Sequence, residues 1–312
     1  MSTALAEPPP RDELAARLRA ETTGVRLSIS WLGVRRTLSR AQQTEAADTF
    51  RAAREYVAAN KKLLDTGHPA FQAATRVRHR AVALWKGMSL PFPEPGVRLI
   101  KRPDVAELDR RLGGLAAELA EAVRQLQERY EELRDLARVR LGRLYDPRDY
   151  PAELADEFAL RWEFPPVDPP DYLRRLHPEL YQRECRRVAA QFNEAVRLAE
   201  EAFLTEFREL IAHLAERLSG RADGTPKVFR DSAVANLQEF FERFGRLDVG
   251  SHDELDRLVR DAQSLLAGVD PGSLRTDATL RGEIHGELAR VETALETLLV
   301  DRPRRHVLRR AK

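Results

Sequence analysis

Cysteine is almost missing from this chain: Cys185 stands alone among 312 residues. A single cysteine can form no intrachain disulfide and no zinc knuckle. Long apolar runs are missing too. No stretch approaches the roughly 20 consecutive apolar residues that span a bilayer, so a membrane is not an expected partner. The opening MSTALAEPPPRDEL has neither a basic n-region nor an apolar h-region and is not expected to be a signal peptide. These absences point to a soluble protein of a reducing cytoplasm. Catalytic signatures are missing in turn: there is no GxxxxGK[ST], no strand-borne GxGxxG, no GxSxG and no HExxH. Gly24 and Gly33 are too few and too far apart for a nucleotide fingerprint. No catalytic residue, cofactor or metal ligand is therefore assigned, and a non-enzymatic role is expected. Lysine is scarce beside arginine, 6 against 46. Genome base composition is the first reading of that bias and anion binding the second.

What is present is charge and helical periodicity. Apolar residues make up 43% and charged residues 33%, the latter above the usual quarter. That excess suits helices with one buried stripe and a wide solvated face. The net charge of +2 conceals segregation: residues 1–102 carry +9, residues 103–301 carry −13 and residues 302–312 carry +6. A basic face for an acidic object is implied. That object is nucleic acid, an acidic protein or the chain's own middle.

Residues 1–10 read as a polar, proline-tripled tail, followed by a short helix from Asp12 to Ala20. Val25, Leu27, Ile29 and Trp31 alternate with polar residues, which reads as a strand ended by Gly33. Helical spacing fills Arg35 to Asp65, with Gly67 placed as a C-cap, and His68-Pro69 opens another helix to Met88. Leu90 to Gly96 is a proline-rich loop, and Val97 to Ile100 a second strand to pair with the first. From Pro103 apolar residues recur at Leu108, Leu112, Leu115, Leu119, Ala122, Leu126, Tyr130, Leu133 and Ala137. This is a coiled-coil seam with one stutter, and Gly113-Gly114 is its expected weak point. Residues 145–177 are broken by prolines. A second seam then runs from Tyr181 through Cys185, Val188, Phe192, Ala195, Ala199, Phe203, Phe207, Leu210 and Leu214 to Leu218. Three more helices fit 231–245, 252–267 and 277–300, the middle one opened by a Ser251 capping box.

The expected fold is mainly α. Residues 104–144 and 178–218 would form a long antiparallel, coiled-coil-like helical hairpin, with further helices and a small two-stranded β element near the N-terminus. The corresponding regions are a tail at 1–22, a basic α+β region at 23–102, the hairpin at 103–218 with its connector 145–177, a helical region at 219–300 and a basic tail at 301–312.

Several clusters hold residue types that can carry chemistry. Cys185, beside Arg183, Arg186 and Arg187, falls on the second seam and is read as packed rather than nucleophilic. His213 and Glu216 have metal-ligand spacing but read as a surface pair. Asp146, Asp149, Asp156, Glu157 and Glu163 read as loop solvation. Arg76, Arg78, His79, Arg80 and Lys86 crowd around Trp85. There, Arg76 and Arg80 share a helical face of the kind that meets phosphates, while a solvated face with Trp85 in the core is the plainer reading. Lys227 and Arg230 lead into a helix N-terminus, where anions bind. The tail brings Arg304, Arg305, Arg309 and Arg310. These nine, Arg76, Arg80, Lys86, Lys227, Arg230 and the four tail arginines, are the candidate contacts with an anion or a partner.

Trp31-Leu32-Gly33, Gly96-Val97-Arg98-Leu99-Ile100 and the seam from Leu108 resemble an uncharacterised family of bacterial and phage helical proteins. Some of its members are encoded beside MoxR-type AAA+ ATPases and von Willebrand A-domain proteins. The resemblance spans about residues 25–218 and implies an AAA+ ATPase as partner; it offers no catalytic residues. Two functions are expected in competition. One is a non-enzymatic helical scaffold or adaptor that docks protein partners. The other is a nucleic-acid-binding accessory protein that uses residues 1–102 and the Arg-rich tail.

Overall fold

The computed structural model describes residues 11–219 and 232–300. In chain order its elements begin with α1 (Arg11–Glu21), β1 (Thr22–Ser30), β2 (Arg35–Thr37), α2 (Arg40–Thr49), β3 (Asn60–Lys62), α3 (Pro69–Gly87), β4 (Ser89–Pro91) and β5 (Val97–Lys101). They continue with α4 (Val105–Glu128), α5 (Tyr130–Leu141), β6 (Ala159–Glu163), α6 (Asp171–Leu176), α7 (Pro178–Leu218), α8 (Ser232–Leu247), α9 (Asp253–Leu266), α10 (Pro271–Thr276) and α11 (Ala278–Val300). The described residues are thus mainly helical. Both expected strands are present, in a sheet of order β4-β5-β1-β6, and β2 with β3 forms a separate two-stranded sheet.

Two compact units divide the chain. The first comprises 1–24, 88–102 and 166–312; the second comprises 25–87 and 103–165. The axis of the first unit is α7, an unbroken helix of 41 residues. Its stripe at Val188, Phe192, Ala195, Ala199, Phe203, Phe207, Leu214 and Leu218 is buried, and α11, α1 and α8 cover it. Aromatic rings concentrate at one level: Phe207 stacks on Phe240 at 5.1 Å, and Phe203 meets Phe244 edge-on at 5.1 Å. Burying each such ring contributes about 1.5–3 kcal/mol. The β4–β5 hairpin turns through Gly96, whose φ of 77° suits glycine, and sets Phe92 against Phe192 at 5.5 Å. The cap of α9 is the His252 imidazole, which accepts from the Leu255 amide; the expected Ser251 cap lies one residue too early. Cys185 is half-buried rather than closed into the seam.

In the second unit, α4 packs along α3 and against β6. Every residue of the first seam, Leu108 through Ala137, is buried. The helix passes unbroken through Gly113-Gly114 and breaks instead at Arg129. That break falls at the stutter, between the two successive four-residue steps at Leu126 and Tyr130, where a straight seam cannot stay in line. Strand β6, inside the supposed connector, pairs antiparallel with β1, placing Leu27 opposite Trp162 and Ile29 opposite Leu160. Trp31, Phe71 and Phe158 pack edge to face, with Arg78 over the Trp31 ring at 5.0 Å.

The antiparallel hairpin of 104–144 with 178–218 is not confirmed. Each long helix takes its main neighbours from its own unit, α3 for α4 and α11 for α7. The single helix expected from Arg35 to Asp65 is corrected as well. The chain makes β2, then α2, then β3, and Gly67 donates its amide to the Asp65 carboxylate rather than capping a helix.

Candidate functional site

An apolar concavity in the second unit lies beside α4. Ala116, Leu119, Ala120, Val123, Arg124 and Gln127 form one wall; Glu153, Ala155, Phe158, Ala159 and Leu160 form the other, and about 500 Å³ lies between them. Small residues make it: Ala116, Ala120, Ala155 and Ala159 leave space that larger side chains would fill. Gln127 holds the second wall in place. Its amide oxygen accepts from the Leu154 N–H at 2.8 Å, and its amide nitrogen donates to the Ala152 carbonyl. The rim is acidic. Arg124 is held by Glu121 and Glu128, whose joint charge exceeds its own, and Glu153 adds another carboxylate. The guanidinium keeps the Glu121 carboxyl below the usual carboxylate range.

A second, polar cavity of about 480 Å³ opens between β2, the start of α2 and residues 143–149. Lys61 lies at its base with only 6% of its side chain exposed, bonded to the Leu144 carbonyl at 2.7 Å and paired with Asp149 at 2.6 Å. Arg143 and Arg148 stand in solvent at its edge. Arg148 clamps Asp146 through side chain and backbone, which pulls that carboxyl down to about 2. Ser39 closes the α2 N-terminus with a capping box to Gln42. The Tyr150 hydroxyl donates to the Leu63 carbonyl, just past the end of β3.

Above that cavity stands an arm, residues 35–62. Its stem is the β2–β3 ladder, with Arg35 opposite Lys62 and Arg36 opposite Lys61. The neck is extended by a bond from the Leu38 amide to the Ala59 carbonyl. The head is α2 and a 3-10 turn packed on it. Here α2 ends in a Schellman motif: the Ala52 amide bonds the Ala47 carbonyl, the Arg51 amide bonds the Asp48 carbonyl, and Arg51 takes φ +52°.

The sequence-derived candidates do not converge. On α3, Arg76, Arg80 and Lys86 are exposed. Arg80 is taken up by a bidentate pair with Glu118, and Arg76 borders a shallow hollow with Arg124 and Arg129. Trp85 is half-buried. Lys227, Arg230, Arg304, Arg305, Arg309 and Arg310 lie outside the described residues. Asp149 and Glu163, read as loop solvation, are ion-paired to Lys61 and Arg26. Among the described residues no set of three His, Cys, Asp or Glu side chains is arranged for a metal ion, and no helix is long and apolar enough to cross a membrane.

Both cavities escaped the sequence reading, for one reason: each joins segments distant in the chain. The alanines at 116, 120, 155 and 159 were the available signal for the groove. Arg35-Arg36 and Lys61-Lys62 were the signal for the arm, hidden by the helical spacing around them. No family model, curated protein or solved structure matches this chain.

Proposed function

We propose that this chain is a non-enzymatic adaptor that docks a protein partner through the apolar groove along α4. The groove itself carries the reading. It follows α4 from Ala116 to Gln127, about 16 Å of helix, an elongated form that suits a peptide segment. Its volume is within the range of binding clefts, about 300–1,000 Å³. The apolar floor calls for large aliphatic or aromatic anchors, and the carboxylates of Glu121, Glu128 and Glu153 call for arginine or lysine beside them. The occupant is therefore a partner segment with an apolar anchor and basic flanks. An AAA+ ATPase, the partner class implied by the resemblance, is the first to try.

Selection of displayed random peptides on the full chain tests this. Enriched peptides should combine large apolar residues with neighbouring arginine or lysine. Ala120→Trp, which places an indole in the groove from an exposed position, should abolish their binding while the melting temperature is kept. Peptides that bind Ala120→Trp as well as the native chain would refute the proposal.

A further inference from the structure

We infer that the arm at residues 35–62 binds single-stranded nucleic acid, its cations meeting phosphates and two exposed rings stacking on bases. This goes beyond docking at the groove and does not depend on it.

The charge arrangement is the first observation. Several arginines on the helices are neutralised one helical turn away: Arg110 by Glu107, Arg124 by Glu121, Arg187 by Glu184, Arg197 by Glu194 and Arg290 by Glu287. The stem of the arm does the opposite. Arg35 faces Lys62 and Arg36 faces Lys61 across the ladder, and like charges directly opposite destabilise a strand pair. Lys61 alone is compensated, by Asp149. Arg35, Arg36 and Lys62 are exposed, and the acid beside Lys62, Asp65, is already bonded to Arg140 at 2.8 Å. Across 35–62 seven cations stand against three carboxylates. A polyanion removes the repulsion that the fold leaves in place.

The second observation is aromatic and independent of charge. Phe50 is 79% exposed and Tyr56 87% exposed, and both lie on the head of this arm. Arg51 and Arg54 lie between them in the chain. Large rings left in water beside unpaired cations are the pattern of single-strand recognition, in which any base offers a face to stack on. A duplex hides those faces. The strands of the stem are only three residues long, about 10 Å, too short to read a major groove. Backbone and stacking contacts therefore carry the binding. An acidic protein surface would satisfy the cations, whereas a single strand satisfies the cations and the rings together, with a base beside every phosphate.

Fluorescence anisotropy with the full chain tests this against labelled oligo-deoxythymidine, oligo-uridine and a blunt DNA duplex over a salt series. Single strands should bind more tightly than the duplex, with affinity falling steeply as salt rises. The double variant Arg35→Ala/Arg36→Ala should weaken binding and reduce the log–log salt slope by about 1.4, at roughly 0.7 per phosphate contact. Phe50→Ala and Tyr56→Ala should each weaken binding about tenfold and leave the slope unchanged. Preference for deoxythymidine or uridine assigns the strand as DNA or RNA, and either agrees with the inference. All four side chains are exposed, so melting temperatures should be unaltered; glutamine replaces alanine wherever a variant melts early. Absence of binding at low salt would overturn the inference. So would variants that titrate like the native chain, a duplex bound as tightly as a single strand, or displacement by polyglutamate as effective as by unlabelled oligonucleotide.

Discussion

Arg51 occupies a backbone position that normally goes to glycine. With φ at +52° its Cβ crowds the following carbonyl, at a cost of about 1–2 kcal/mol. Arg51→Gly should therefore stabilise the chain by about 1 kcal/mol in urea unfolding. If Arg51 touches phosphate in the arm, the same variant should bind oligo-deoxythymidine less well, a trade of stability for function. Asp256 is strained electrostatically instead. Burial first, then the nearby Asp248 and Asp253, push its carboxyl up to about 6, against the pull of Arg260. The folded state thus holds this proton more tightly than the unfolded chain, whose carboxyl titrates near 4. Stability present below about pH 4 is lost as pH rises through 6. Asp256→Asn cannot ionise, so its melting temperature relative to the native chain should climb across that interval. A constant difference would show that Asp256 is solvated.

Helices could be read from periodicity because their stripes are local. The nine seam positions from Leu108 to Ala137 are buried, and α7 keeps the bounds Pro178–Leu218 implied by the second seam. What a stripe lacks is the name of its partner. Leu119 and Leu126 say that something covers α4, and two stripes of equal length suggest each other; the neighbours observed within each unit are α3 for α4 and α11 for α7. Strands fared worse wherever their pairing spans distance. The partners Arg36 and Lys61 stand 25 positions apart, and the alanine-rich segment between them favours helix locally. Likewise Ala159–Glu163 alternates only briefly between prolines, and its hydrogen bonds come from β1. Packing at the element scale is testable at two positions. Leu126 is fully buried, so Leu126→Ala should cost about 2–5 kcal/mol. Val139, 82% exposed on α5, should change stability by less than about 0.5 kcal/mol on replacement by alanine. Equal costs would mean that the seam is not the core of its unit.

The whole chain passes between its two units four times. Neither unit is a contiguous segment, so truncation cannot isolate one, and binding has to be measured on the intact protein. Groove and arm belong to the same unit but use opposite chemistry: an acidic-rimmed apolar cleft for a basic partner, and a cationic stem with bare rings for a polyanion. Ala120→Trp should therefore leave oligonucleotide binding intact, and Arg35→Ala/Arg36→Ala should leave peptide binding intact. The site of docking is tested most directly by hydrogen–deuterium exchange on the full chain, with and without a display-selected peptide. Slower exchange confined to residues 116–127 and 153–160 is the expected result. Protection elsewhere, with these two segments unchanged, would contradict docking in the groove.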